Sequence, residues 1–196
     1  MIEMKTMRLG PFRTNCYLVW EASREDCVVI DPGDDAQTVL LAARNLGKQI
    51  QAILLTHGHF DHVGAVREIA EHTQCRVYLC LEDLRVPVHM TAGPLYYTHS
   101  YQEGDRVAEA GLEFAVMHTP GHTPGCVCLF LENNIFSGDT LFAGTCGRTD
   151  LEGSSWTQIQ DSLHRLAKLE GDYMVYPGHG GMTTLSREKQ WNPYMQ

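Results

Sequence analysis

The sequence predicts a mixed α/β fold, and three observations predict it. Short apolar runs such as Ala52-Ile53-Leu54-Leu55 are bounded by Gly, Pro, Asp or polar clusters, as strands are. Other stretches repeat apolar residues three and four apart, as at Ala36, Val39, Leu40 and Ala43, the spacing of one helix face. Four of the strand-like runs end in turns that carry histidine or aspartate, so regular elements deliver a set of side chains with ligand chemistry.

The elements follow in order. Residues 1–9, 15–20 and 27–30 read as three short strands, separated by the Gly10-Pro11 turn and polar residues 21–26. Tight turns between short strands predict an antiparallel meander. Asp34 or Asp35 can cap a helix whose inner face is Ala36, Val39, Leu40, Ala43 and Leu46, with Gly47 as its stop. Strand 51–55 leads into Thr56-His57-Gly58-His59-Phe60-Asp61-His62, and Val66, Ile69 and Ala70 mark the next helix. Residues 75–81 are strand-like. Residues 82–101, with Pro87, Pro94, Tyr96 and Tyr97, carry no clear period and read as an irregular excursion. Strand 112–117 runs toward His118-Thr119-Pro120-Gly121-His122, and strands 126–131 and 134–137 lead to Gly138-Asp139-Thr140. Residues 141–153 read as a loop. Trp156, Ile159, Leu163, Leu166 and Leu169 mark an amphipathic helix capped by Ser154 or Ser155, and strand 173–176 ends at Pro177-Gly178-His179. No linker, repeat or low-complexity segment intervenes, so one domain over 1–196 is expected.

Composition narrows the function classes. With 43% hydrophobic and 20% charged residues, the 196-residue chain has the make-up of a globular protein. A net charge of −9 and the lack of any Lys/Arg run argue against nucleic acid as a partner. No apolar run approaches the roughly 18 residues of a membrane span. Met1-Ile2-Glu3-Met4-Lys5 lacks the apolar core of an export signal, so a cytoplasmic location is expected. Seven cysteines, an odd number, fit reduced thiols. Cys126 and Cys128 read as core, and Cys146 alone as exposed.

The ligand-type residues number five histidines (His57, His59, His62, His122, His179) and two aspartates (Asp61, Asp139). Such groups are costly to bury without a partner, and they suit a cation that takes imidazole nitrogen and carboxylate oxygen. One tetrahedral ion has no use for seven ligands. Two adjacent ions sharing a carboxylate use all of them.

At this point the sequence resembles a known family, the metallo-β-lactamase-fold hydrolases, and within it the glyoxalase II-like (hydroxyacylglutathione hydrolase) branch. The resemblance spans nearly the whole chain. It is carried by Val29-Ile30-Asp31-Pro32-Gly33, Thr56-His57-Gly58-His59-Phe60-Asp61-His62-Val63-Gly64, His118-Thr119-Pro120-Gly121-His122-Thr123, Ser137-Gly138-Asp139-Thr140-Leu141-Phe142 and Pro177-Gly178-His179. It implies a four-layer αβ/βα sandwich with two divalent metal ions on a sheet edge, zinc first and iron or manganese as alternatives. His57, His59 and His122 would hold one ion, Asp61, His62 and His179 the other, and Asp139 would bridge them. A thiol in place of Asp139 would suggest a β-lactamase, and an acidic residue in place of His59 a di-iron flavoprotein; neither is present.

The chemistry the resemblance implies is hydrolysis of an acyl thioester, a small-molecule substrate, by a hydroxide bridging the two ions, with Asp61 as ligand and orienting group. Full-length glyoxalase II adds a helical region that supplies much of the glutathione pocket, and this chain ends 17 residues after His179, which leaves the carrier thiol open. Arg148, in Gly147-Arg148-Thr149-Asp150, and Tyr97 are the candidate substrate contacts. Two alternatives draw on the same ligand set: a persulfide dioxygenase with a single iron, and a lactone hydrolase. The oligomeric state is not legible.

Overall fold

In the computed structural model, which describes residues 1–196, two six-stranded sheets stack between helices. The first sheet has the order β1 (Ile2–Leu9), β2 (Thr14–Glu21), β3 (Asp26–Ile30), β4 (Gln49–Leu54), β5 (Arg76–Leu79) and β6 (His99–Ser100). The expected meander is there: β1, β2 and β3 pair antiparallel. From β3 to β6 the pairing is parallel, which requires crossovers over one face. These hold α1 (Ala36–Asn45), the single turn α2 (Phe60–Val63) and α3 (Val66–Thr73).

The second sheet begins with β7 (Arg106–Glu109), β8 (Leu112–His118), β9 (Val127–Leu131) and β10 (Asn134–Gly138), each antiparallel to the next. A short hairpin, β11 (Leu141–Phe142) and β12 (Thr145–Cys146), and helix α4 (Trp156–Ala167) intervene. The sheet is completed by β13 (Met174–Pro177), parallel to β10, and by β14 (Thr183–Thr184), before the final helix α5 (Leu185–Trp191).

Three separate apolar cores make this a four-layer αβ/βα sandwich. Val39, Ala43, Ile53 and Ile69 fill the space between the first helices and the first sheet. Ile30, Leu54, Phe114, Leu129 and Phe136 fill the space between the sheets. Ile135, Ile159, Leu163, Leu166, Val175 and Leu185 fill that between the second sheet and its helices. Strand periodicity explains the division: along β2, Cys16, Leu18 and Trp20 face the first core while Tyr17 and Val19 face the second. Each large aliphatic or aromatic side chain fully buried this way contributes about 1.5–3 kcal/mol.

Local chemistry sets the element ends. Asp35 caps α1 by accepting the Thr38 N–H at 3.1 Å, worth about 1 kcal/mol. Leu46, expected on the inner face, is instead the C-cap residue and is exposed; Ala42 completes the buried face. The helix stops there because Gly47, at φ 66°, turns the chain. Trp156 likewise lies at the surface, its ring 5.8 Å from that of Tyr194. Within 141–153 the expected loop contains the β11–β12 hairpin, and the residues after His179, unassigned from the sequence, form β14 and α5. No helix is long and apolar enough to cross a membrane.

Candidate metal centre

Each ligand-type residue follows the end of a strand, as expected, but the strands belong to both sheets. His57, His59, Asp61 and His62 follow β4 of the first sheet; His122, Asp139 and His179 follow β8, β10 and β13 of the second. Backbone hydrogen bonds join the two sheets at this edge. The Val127 N–H donates to the Thr56 carbonyl at 2.9 Å, and the Asn15 N–H to the Gly178 carbonyl at 2.7 Å.

The side chains gather in two groups. Ligand atoms of His57, His59 and His122 lie within 4.8 Å of one another, and so do those of Asp61, His62 and His179. Within the first group His59 Nδ1 is 2.9 Å from His122 Nε2. Within the second, His179 Nε2 is 3.1 Å from Asp61 Oδ2 and 3.4 Å from His62 Nε2. Asp139 stands between them: its Oδ2 is 3.5 Å from His122 Nε2 and 3.6 Å from His179 Nε2, and its Oδ1 is 3.4 Å from His62 Nε2. All seven residues are thus brought together. Gly178 makes room for this, since a Cβ there would collide with Asp139 Oδ1 and stand 2.6 Å from His62 Cε1.

The far sides of two of the imidazoles are fixed. His62 Nδ1 is 2.8 Å from Asp31 Oδ2, and His122 Nδ1 is 2.9 Å from the Arg148 carbonyl. A ring nitrogen that donates outward leaves Nε2 as a lone pair turned to the centre. Two buried atoms inside the centre, His57 Nε2 and Asp139 Oδ1, have no hydrogen-bond partner. Buried lone pairs of this kind are costly when unmatched, and a cation matches both. The residues fit a pair of divalent ions.

Electrostatics separates the halves. Burial, reinforced by the surrounding imidazoles, holds His57 well below the ordinary histidine range and lowers His59 to about 4. In the other half burial also opposes charge, but carboxylates outweigh it. Asp139 and Asp31 raise His62 well above its usual value, and the Asp61 hydrogen bond with the Asp139 charge raises His179. Burial pushes Asp61 and Asp139 upward, yet Asp61, bonded to His179 and Thr14, and Asp139, facing charged His62, are both held below the usual carboxylate range.

A cleft of about 760 Å³ opens over the centre. Phe12, Phe60, Met90, Phe142 and Leu151 give it apolar walls, and His89, Cys146, Arg148, Asp150 and Glu152 stand among them. Phe12 and Phe60 meet edge to face at 5.1 Å. Arg148 therefore reaches the cleft, donating through Nε and Nη2 to the two Asp150 carboxylate oxygens at 2.6 and 2.7 Å. Tyr97 is not among the residues that line the cleft. Tyr96 packs under Arg67 and against the first core, and His89 and Met90 occupy the cleft wall. His118 also stays apart from the ligands, 2.7 Å from the Pro124 carbonyl.

Several functional positions escaped the sequence reading. Asp31 was legible as a turn residue and as part of the Val29-Ile30-Asp31-Pro32-Gly33 motif but without a role, yet it takes the Thr56 N–H at 2.8 Å and the Thr56 hydroxyl at 2.5 Å besides His62. Thr14 donates to Asp61 Oδ2 at 3.0 Å, and Asn15 binds the Pro177 and Gly180 carbonyls at 2.9 and 3.0 Å, bracing the His179 turn. The pattern Asp31-Pro32-Gly33 directly after a strand was the one available signal.

The description Metallo-beta-lactamase superfamily matches residues 9–179. A Haemophilus influenzae protein named hydroxyacylglutathione hydrolase GloC is 32% identical over 94% of this chain and 93% of its own. An Aeromonas salmonicida hydroxyacylglutathione hydrolase is 39% identical over 90% of this chain but only 65% of its own. Among solved structures, the BLEG-1 B3 metallo-beta-lactamase superposes with a TM-score of 0.89 at 33% identity over 99% of this chain and 100% of that one. TTHA1623 in a di-iron-bound form gives 0.86 at 38% over 97% and 99%. ETHE1 from Myxococcus xanthus gives 0.85 at 28% over 97% and 83%.

Proposed function

The chain belongs to the metallo-beta-lactamase superfamily, and from that premise we propose that it is a binuclear metal-dependent hydrolase of acyl thioesters, similar to hydroxyacylglutathione hydrolase. The observation that carries this reading is the two ligand groups with Asp139 between them. His57, His59 and His122 would hold one ion, Asp61, His62 and His179 the other, with Asp139 shared. Zinc suits this set of imidazoles and carboxylates, and iron suits it too. TTHA1623 was solved with two irons.

When bound, the ions supply a hydroxide at neutral pH and an electrophilic contact for the carbonyl oxygen. The protein's own groups do the rest. Asp61 Oδ2, held by the Thr14 hydroxyl at 3.0 Å, stays ionised and would accept the nucleophile's hydrogen. Asp139 stays ionised between the halves. The apolar walls of Phe12, Phe60 and Phe142 take the acyl or thiol portion and exclude water from it. As the carbon–oxygen bond forms, the carbon–sulfur bond breaks and the sulfur leaves with its electron pair. A thiol pKa of about 8.5 lets it depart without a dedicated acid. Arg148, at the rim, would meet a carboxylate of the substrate by exchanging it for Asp150.

A second reading, a persulfide dioxygenase with one iron, is favoured by the likeness to ETHE1. A single ion held by two histidines and a carboxylate would use three of the seven gathered ligand residues and leave the other four without an ion. The deciding experiment gives metal-quantified protein S-D-lactoylglutathione beside other acyl thioesters, a lactone, a β-lactam and glutathione persulfide. Two ions per chain with thioester cleavage is expected. One iron with oxygen-dependent sulfite formation would replace this reading with the second.

A further inference from the structure

Asp83 is the strongest feature near the centre that this chemistry leaves unused. It sits in the 3-10 turn Leu81–Arg85, within the excursion that the sequence left unread, and its side chain is fully buried. Its Oδ2 accepts the Gly58 N–H at 2.6 Å and its Oδ1 accepts the Gly125 N–H at 2.5 Å. Gly58 separates His57 from His59, and Gly125 closes the turn that carries His122. One carboxylate therefore ties together the two loops that bear all three imidazoles of the first group.

The fit is close at both contacts. A Cβ on Gly125 would stand 2.6 Å from Asp83 N and Oδ1, and one on Gly58 would stand 2.9 Å from Leu95 Cδ1 and 3.4 Å from Asp83 Oδ2. With both oxygens accepting N–H groups, the acceptor-only ionised form is the one that satisfies the contacts. Burial raises the Asp83 carboxyl, with the donors of Thr123, Gly125 and Gly58 and the nearby His122 opposing. A carboxylate buried without a cationic side chain is costly, unless positive charge is supplied close by.

We propose that Asp83 is a positioning residue for the three-imidazole half of the centre: it fixes the loops of His57, His59 and His122 to each other and sets a buried carboxylate beside them. The proposal rests on the reading that these three hold an ion. Its selectivity follows from the other half, which has separate braces in Thr14 on Asp61 and Asn15 on the His179 turn.

Zinc affinity, read by competition with a chromophoric chelator, tests it in two backgrounds. Asp61→Ala/His179→Ala isolates the three-imidazole half, and His57→Ala/His59→Ala isolates the other. Adding Asp83→Asn is expected to weaken zinc binding by roughly 10–100-fold in the first background and to leave it within about threefold in the second. Should Asp83→Asn fail to fold, Gly125→Ala, which displaces the carboxylate from the opposite side, carries the same expectation. Unchanged affinity in the first background, or an equal loss in both, overturns the proposal; an equal loss is what a merely structural carboxylate gives. If the first background binds no zinc with Asp83 intact, the ligand assignment itself fails and takes the proposal with it.

Discussion

Asp31 Oδ2 lies 2.8 Å from His62 Nδ1, joining the residues that follow two neighbouring parallel strands, β3 and β4. The same carboxylate holds Thr56 at both its N–H and its hydroxyl. Its backbone is in the left-handed region, at φ 50°, a conformation aspartate tolerates better than most residues. Replacing Asp31 with Ala releases the outward nitrogen of His62, so the ring can turn. The expected result is a roughly 10–100-fold loss of affinity for one of the two ions, seen by chelator competition, together with a lower thermal midpoint.

Asp61 and Asp139 differ in reach, and their variants should differ in metal content. Asp61→Ala is expected to retain one ion per chain by elemental analysis, because His57, His59 and His122 are untouched. Asp139→Ala removes the group facing both halves and should lower both. Turnover should fall by roughly 10²–10⁴-fold for Asp61→Ala, the range of a positioned proton-handling group. Full activity of either variant would remove the basis of the mechanism.

The halves should separate with pH. Metal ions bind neutral imidazole, so protons compete with them. His62 and His179 have raised values, which means that this competition persists to higher pH; His57 is lowered and His59 lies at about 4, so there it sets in only under more acidic conditions. On lowering the pH, the ion at Asp61, His62 and His179 should leave first. Elemental analysis after dialysis through a pH series checks the order, and simultaneous loss of both ions would contradict it.

The end of the chain shapes the cleft. Asn192, fully buried, donates to the Thr145 carbonyl at 3.0 Å and to Glu188 Oε2 at 2.9 Å, and that same Glu188 oxygen takes the Gly144 N–H at 2.7 Å. This clamps the β11–β12 hairpin, which presents Phe142 and Cys146 to the cleft. Asn192→Ala leaves buried polar partners unmatched and should cost about 1–3 kcal/mol in denaturant unfolding. KM should rise with kcat little changed, since the ligands are braced elsewhere.

Arg148 and Asp150 form an exposed pair, and exposed pairs contribute little to stability. Arg148→Ala should leave the thermal midpoint unmoved while raising KM for thioesters that carry a free carboxylate. A matched ester or thioester without that carboxylate should show no change. Equal effects on both substrates would assign Arg148 to the loop alone.

The ligands were legible in the sequence because imidazole and carboxylate crowded behind a strand have few other uses; His57 to His62 and Asp139 declared themselves by residue type and place. The layers were legible from periodicity, as along β2. What escaped depended on long-range partners. Nothing local marks that β4 and β8 lie in different sheets, or that Asp83 serves backbone N–H groups 25 and 42 positions away. Tyr97 was hard to place because its neighbour β6, an edge strand formed by His99 and Ser100, is too short to show an alternation.

The division of ligands between the sheets has a consequence for folding as well as catalysis. Four of the seven come from one sheet and three from the other, so each ion would act as a clasp across the two halves of the sandwich. Each ligand group draws on both sheets, His57 and His59 with His122, and Asp61 and His62 with His179. Binding that requires both sheets in place favours the assembled state by mass action, by about 2.7 kcal/mol for each site at a hundredfold excess over its Kd. The resistance of this protein to unfolding would then be set by the free metal around it as well as by its three apolar cores.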